Sequence, residues 1–386
     1  MSSRHFVLAA ALLFLAGCDG EGEPAPRNDE PPRQLPPKAA SPAIAVELGA
    51  AWLARQQRAN GAWLDPGGKE SVGLTAFAAT LLARAHTHPE HLRRACLFLR
   101  QFFRKGELAM DQRWFYTGYE VPLVMLAFWH ADRREYAPEI AALLRYLRNT
   151  RIVAGDKTNP RRRDWHIGSW EYSSVARIPP DISVTAFVLD ALAAVDPAGS
   201  RDIMEEALPY VQRCQNRKAS SGMKNSLDDG GFKHEPVAGK AASLLLENGE
   251  YGFLSYGSVT CDGLRCYLLA GTSPDDPRVS AAIEWLRAHY RLDENPNVAA
   301  LQATKEPARR TCMLYYLFSL ARCLSSLADE PAIPGAQWRK ELAERIVALQ
   351  ASDGSWRNPD GMMWEEYPPL ATCLMLNALL TMRPHR

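Results

Sequence analysis

The sequence predicts an all-α protein closed into a ring of six helical hairpins, and three observations predict it. From residue 42 onward, apolar-periodic segments alternate strictly between two kinds, six amphipathic and six apolar nearly all round. A helix with one wet face belongs on the outside, whereas one apolar on every side must be covered and so lines the middle. The uncommon phrase Gln-x-x-x-Gly-x-Trp occurs near both ends, as "QRANGAW" (57–63) and "QASDGSW" (350–356). Neither end carries the polar capping repeat that an open helical array needs, which favours closure.

The chain opens with a segment outside this ring. Arg4 and His5 precede the apolar run "FVLAAALLFLAG", too short to span a bilayer and shaped like a signal-peptide core. Residues 1–17 are therefore read as a signal peptide. Leu15-Ala16-Gly17-Cys18 resembles the lipobox of bacterial lipoproteins, which implies that Cys18 is lipidated and becomes the mature N-terminus. An ordinary secretory signal is the alternative. Residues 18–41, rich in Pro, Glu and Gly, have too few large apolar groups to pack and read as a disordered tether. The expectation is a lipoprotein of the bacterial cell envelope, anchored to the membrane and facing the periplasm or the exterior. Residues 42–386 are expected to form one domain.

The hairpins then follow in order, each an outer segment and its inner partner. They read "SPAIAVELGAAWLARQQ" with "GLTAFAATLLARA", "PEHLRRACLFLRQFF" with "EVPLVMLAFWHA", and "YAPEIAALLRYLRN" with "SVTAFVLDALAAV". The remaining three are "RDIMEEALPYVQRCQ" with "SVTCDGLRCYLLAG", "DPRVSAAIEWLRAHY" with "TCMLYYLFSLARCL", and "QWRKELAERIVALQ" with "PLATCLMLNALL". Apolar residues recur at three- and four-residue intervals. Acidic residues tend to come early and Arg late, which suits the helix dipole. Gly61 and Gly354 can stop a helix in the left-handed conformation. Gln57 and Gln350 are placed to bond unpaired backbone groups there, and Trp63 and Trp356 to fill the seam to the next hairpin. Degenerate copies end at Trp170 and Phe232.

Composition excludes some partners. Lys plus Arg is 45 and Asp plus Glu is 44, a formal charge of +1, so no concentrated basic surface is available for nucleic acid. The run Arg161-Arg162-Arg163 reads as a solvated loop. Of eight cysteines, removing Cys18 leaves an odd number without any Cys-x-x-Cys pair. Buried free thiols are expected, with room for one disulfide in an exported chain.

The repeated Gln-x-x-x-Gly-x-Trp phrase, the six hairpins and the Thr-led inner helices resemble the squalene–hopene cyclase and protein prenyltransferase superfamily. That resemblance covers residues 42–386 and implies an (α/α)6 toroid with inner and outer helix rings. The stretch from Tyr256 to Pro296 is especially similar to bacterial single-toroid, squalene-cyclase-like proteins. The family's cyclases carry Asp-x-Asp-Asp-Thr-Ala at the head of an inner helix. Here the frame is Asp181-Ile182-Ser183-Val184-Thr185-Ala186, with Ser183 in place of the proton donor. Prenyltransferases of the family bind zinc through Asp-x-Cys and a later His. Leu264 precedes Cys266, and Ala371 precedes Thr372-Cys373, so two of three ligands are replaced and no zinc or other cofactor is expected.

A site in this architecture is expected in the central funnel, near the N-termini of inner helices. Asp262 and Asp181 are the candidate catalytic acids, although each would equally serve as dipole partner or cap at a helix start. Arg309 and Arg310 precede an inner helix and suit an anionic group, or else a wet turn. Tyr256, Trp170 and Tyr315 offer aromatic faces for a ligand, or else seam packing. Glu366, beside Glu365, and the pair Asp228-Asp229 add loop carboxylates; His166 and His234 are weaker acid–base candidates. These residues support binding or processing of an isoprenoid or other lipid. The alternatives are a non-catalytic scaffold for another envelope protein and a glycan-active enzyme.

Overall fold

Twelve helices of eleven to sixteen residues carry the fold in a computed structural model that describes residues 41–156, 158–173, 178–298, 311–327, 337–359 and 363–383. Cys18, the leader, the tether, Arg309 and Arg310 lie outside the described residues. The outer helices are α1 (Pro42–Arg55), α3 (Pro89–Arg100), α5 (Ala137–Thr150), α7 (Arg201–Cys214), α9 (Pro277–His289) and α11 (Trp338–Ala348). The inner helices are α2 (Val72–Arg84), α4 (Thr117–Asp132), α6 (Ile182–Val195), α8 (Gly257–Leu269), α10 (Met313–Ser326) and α12 (Pro368–Thr381). Each inner helix packs on the next, and α12 returns to pack on α2, so the inner ring closes. The helix ends fall close to the apolar runs that predict them. One run does not stay helical throughout. The segment reaching Phe103 leaves the helix at Arg100, because Phe103–Arg104 pairs with Glu107–Leu108 across a turn in which Lys105 and Gly106 both have positive φ.

Closure depends on the repeated phrase. Gln350 is buried, and its Nε2 donates to Gly354 O and to Ala45 O, both at 2.9 Å, joining the last hairpin to α1. Half-buried Gln57 does the same one repeat on, donating to Gly61 O at 3.0 Å and His91 O at 2.8 Å. Gln215 repeats the contact at Gly230 O and Arg278 O. The glycines are required: a Cβ on Gly61 would lie 2.2 Å from Arg94 O, and one on Gly354 2.6 Å from Leu48 O, both at positive φ. Trp63 and Trp356 are fully buried, and their indole N–H groups donate to Leu53 O and Ile346 O. Their backbone N–H groups donate to Thr75 and Thr372, which explains the threonine early in those inner helices. Tyr367 donates its hydroxyl to Leu64 O at 2.8 Å across the same junction.

The seven described cysteines are free, six of them buried. The run at 161–163 is only partly solvated, because Arg162 turns inward to pair with Glu171 at 3.0 Å and with Asp156.

Candidate functional site

The N-terminal halves of the inner helices bring buried acids together. Asp181 caps α6: its Oδ1 accepts the N–H of Val184 at 2.7 Å, and the side chain is buried. Its other oxygen lies 3.6 Å from Nε2 of His234. Burial raises the Asp181 pKa, partly offset by the charge of Lys240. Burial, helped by the same Lys240 charge, holds His234 well below its ordinary value, so this contact pairs an acid with a neutral imidazole.

Asp262, on α8, is 1% exposed, and its Oδ2 accepts the hydroxyl of Tyr315 at 2.9 Å. Burial pushes its pKa up to about 7, with the charge of Asp181 acting in the same direction. The charges of Asp181 and Asp262 both bear on Tyr119, Tyr256 and Tyr315, so the two acids lie near the same three rings. Tyr256, just before α8, is buried with its hydroxyl 3.5 Å from Nδ1 of His234.

Tyr315 also ties in a third acid. Its backbone N–H donates to Glu365 Oε1 at 2.7 Å, and Asn358 Nδ2 donates to Glu365 Oε2 at the same distance. Glu365 is buried, and burial raises its pKa to about 7, whereas Glu366 is exposed. The pair was legible in the sequence; the inward member is Glu365, because only its carboxylate finds the open N-terminus of α10. Glu120, in the first turn of α4, is a fourth buried acid, raised by burial to about 8. It was not among the sequence candidates, although a lone Glu within an apolar inner segment is a usable signal.

Below the acids the centre is aromatic. Tyr119 meets Phe187 at 5.0 Å, Phe187 meets Phe318 at 5.9 Å, and Phe318 meets Tyr315 at 5.7 Å and Phe77 at 6.1 Å. Tyr116, Tyr172 and Trp364 continue this wall toward the rim. Trp170 stands apart from it as a buried seam residue, its indole N–H donating to Leu147 O at 2.7 Å. Asp228 and Asp229 build a turn: Asp228 accepts the N–H of Lys218, and Asp229 accepts Ser255 Oγ. Among the described residues no three His, Cys, Asp or Glu side chains converge to hold a metal ion.

A carboxyl with pKa near 7 is a poor acid for protonating a carbon–carbon double bond, but it is matched to exchanging a proton with an oxygen or nitrogen at neutral pH. The Tyr315 hydroxyl, already aimed at Asp262, stabilises the carboxylate such a transfer leaves behind.

No family model matches the sequence, and no curated protein matches it. Solved structures do match it over most of its length. The type II terpene cyclase MstE from Scytonema, in its apo form, is 14% identical with TM-score 0.52, over 88% of this chain and 97% of that one. An inactive variant of the α-1,6-mannanase GH76A of Salegentibacter, bound to α-1,6-mannotriose, is 11% identical with TM-score 0.55, over 89% of this chain and all of that one. An α-amylase from Clostridium perfringens is 9% identical with TM-score 0.53, over 88% and 97%. Identities this low speak for architecture alone. The chain has the α/α-toroid fold that squalene-cyclase-like type II terpene cyclases share with toroidal glycan-active enzymes.

Proposed function

We propose that the funnel mouth binds an isoprenoid or other lipid with an oxygen-bearing head, and that Asp262 exchanges a proton with that head. The observation that carries this reading is a near-neutral buried acid, held by Tyr315, above a column of aromatic rings. The rings not covered by Arg322, Tyr119 and Tyr315 among them, supply contact for a tail, and the acid meets the head. In the forward step the Asp262 carboxyl gives its proton to the head oxygen, leaving a carboxylate that the Tyr315 hydroxyl bonds. Asp181, with one oxygen held by the Val184 N–H, orients the mouth with His234. Arg309 and Arg310, just before α10 in sequence, are assigned to an anionic part of the ligand. MstE supports this reading by analogy, since solved MstE variants hold geranylgeranyl dihydroxybenzoate as substrate. A lipid-anchored Cys18 would keep the toroid beside a membrane that stores such molecules.

The test is native mass spectrometry of residues 42–386 made in the native host. A copurifying polyprenyl or hopanoid species, retained less by Asp262→Asn, is the expected result. A clean apo mass would overturn the lipid reading in favour of a scaffold for an envelope protein. The near-neutral acids, with a mannanase and an amylase among the matched structures, favour a glycan-active enzyme as the second reading. Cleavage of an oligosaccharide that is abolished in Asp262→Asn would select it.

A further inference from the structure

The opposite end of the ring carries the reverse charge. Arg84 ends α2, Thr381 ends α12, Arg322 and Ser326 lie in the last turns of α10, and Arg265 and Asp190 project from α8 and α6. Two guanidiniums, Arg265 and Arg322, thus share the Asp190 carboxylate, and among the described residues Arg84 has no carboxylate of its own. Arg265 is fully occupied: it pairs with Asp190 and donates through Nη1 to Arg322 O at 2.6 Å and Ser326 Oγ at 2.7 Å. Arg322 is 7% exposed, pairs with Asp190 through Nη2, and lies over the rings of Phe318 at 4.5 Å and Phe187 at 5.1 Å. Its Nη1 is buried with no hydrogen-bond partner among the described residues. Arg84 reaches Thr381 Oγ1 through Nη2 at 3.1 Å.

We propose that this end of the toroid binds an oxyanion, a phosphate or carboxylate group, between Arg84 and Arg322. Among the described residues Asp190 already serves two guanidiniums and none of its oxygens reaches Arg322 Nη1, and a buried donor left unbonded is costly. The inner-helix carbonyl ends point the same way and explain why cations gather here. A dipole, however, accepts no hydrogen bond from Arg322 Nη1. An oxyanion presents several acceptors in one plane, and guanidiniums are matched to that geometry. The helices that carry the two guanidiniums meet at Phe77 and Phe318, 6.1 Å apart; burial, then the charge of Arg84, brings Arg322 down to about 9, and burial, then Arg265 and Arg383, brings Arg84 to about 10. Arg84, Thr381 and Ser326 are half-buried, so the site opens to solvent at this end.

The experiment is thermal unfolding of the full chain, exchanged through high chloride and titrated at constant ionic strength with inorganic phosphate or with acetate. The expected result is a midpoint that rises saturably with at least one of them, since a ligand that binds only the folded chain stabilises it by mass action. Phosphate alone would mark a phosphate site, and acetate alone a carboxylate site. Arg84→Gln, which removes one charged partner, should weaken the apparent affinity at least about tenfold. Arg84→Lys, which keeps the charge but loses the fork, should fall between Arg84→Gln and the parent, and it serves as the second variant if Arg84→Gln does not fold. A rise that never saturates, a rise equal in the parent and the variants, or no rise with either anion would overturn the site.

Discussion

The hydroxyl of Tyr315 donates to Oδ2 of Asp262 at 2.9 Å, across 53 residues of sequence and between two adjacent inner helices. The bond stabilises the ionised form, yet the carboxyl still titrates near 7 because burial outweighs it. An unfolded Asp titrates near 3.9, so between roughly pH 4 and 7 the folded chain holds the extra proton. This group's contribution to stability is complete below the lower value and is lost as pH rises through the upper one.

Asp262→Asn should therefore match the parent near pH 4 and exceed it at pH 8, by up to about 4 kcal/mol for a shift of three units. Urea unfolding at the two pH values checks this, and equal pH dependence in both proteins would refute it. Tyr315→Phe should move the Asp262 titration still higher, read as the carboxyl carbon shift by NMR.

Gln350→Ala strips donors from two carbonyls, one of them on the first outer helix. A loss of about 2–4 kcal/mol is expected, because two partners lose a donor together. The same change at half-buried Gln57 should cost less, since water can replace the amide there. Denaturant titration of the two variants side by side decides it; an equal cost would show that burial is not the controlling difference.

Asp190→Asn leaves Arg265 and Arg322 without their counter-charge inside the ring. Breaking a buried pair this way costs about 3–5 kcal/mol. The unfolding midpoint should fall accordingly, and restoring it with a second change, Arg322→Met, would locate the penalty in the uncompensated guanidinium.

Glu365→Gln keeps an acceptor for the Tyr315 N–H, while Glu365→Ala opens the start of α10, which has no cap of its own. Loss of a cap costs about 1 kcal/mol. The Ala variant should be the less stable of the two, and amide exchange should quicken at Tyr315 before it does elsewhere in α10.

Local patterns made the ring legible. The twelve periodic segments, the glycines with a forced left-handed turn and the Gln and Trp around them all act within a few residues, so sequence spacing carries them. The site was legible only in part. Asp181 does sit at its helix start, but Asp262, expected at a helix start too, is the sixth residue of α8 because that helix already begins at Gly257, and the nearness of the two acids depends on ring closure. Glu365 and Glu366 are adjacent, and nothing local says which turns inward. The arginine end was missed because "ARA", "LDA" and "ARC" each read as an ordinary interruption of an apolar run. A lone charge on a helix that must be covered on all sides calls for a partner on another such helix, and Asp190 and Arg322 answer one another.

The bond from Gln350 to Ala45 means that the sixth hairpin completes the first. A growing chain has a helix α1 whose far flank stays open until α11 and α12, more than 280 residues later, have been made. Once closed, the ring has no privileged hairpin: the seam at α1 carries the same Gln contact as those at α3 and α9. Joining α12 to α1 by a short linker and reopening the chain in an exposed outer loop should give the same ring, with a different hairpin left to fold last.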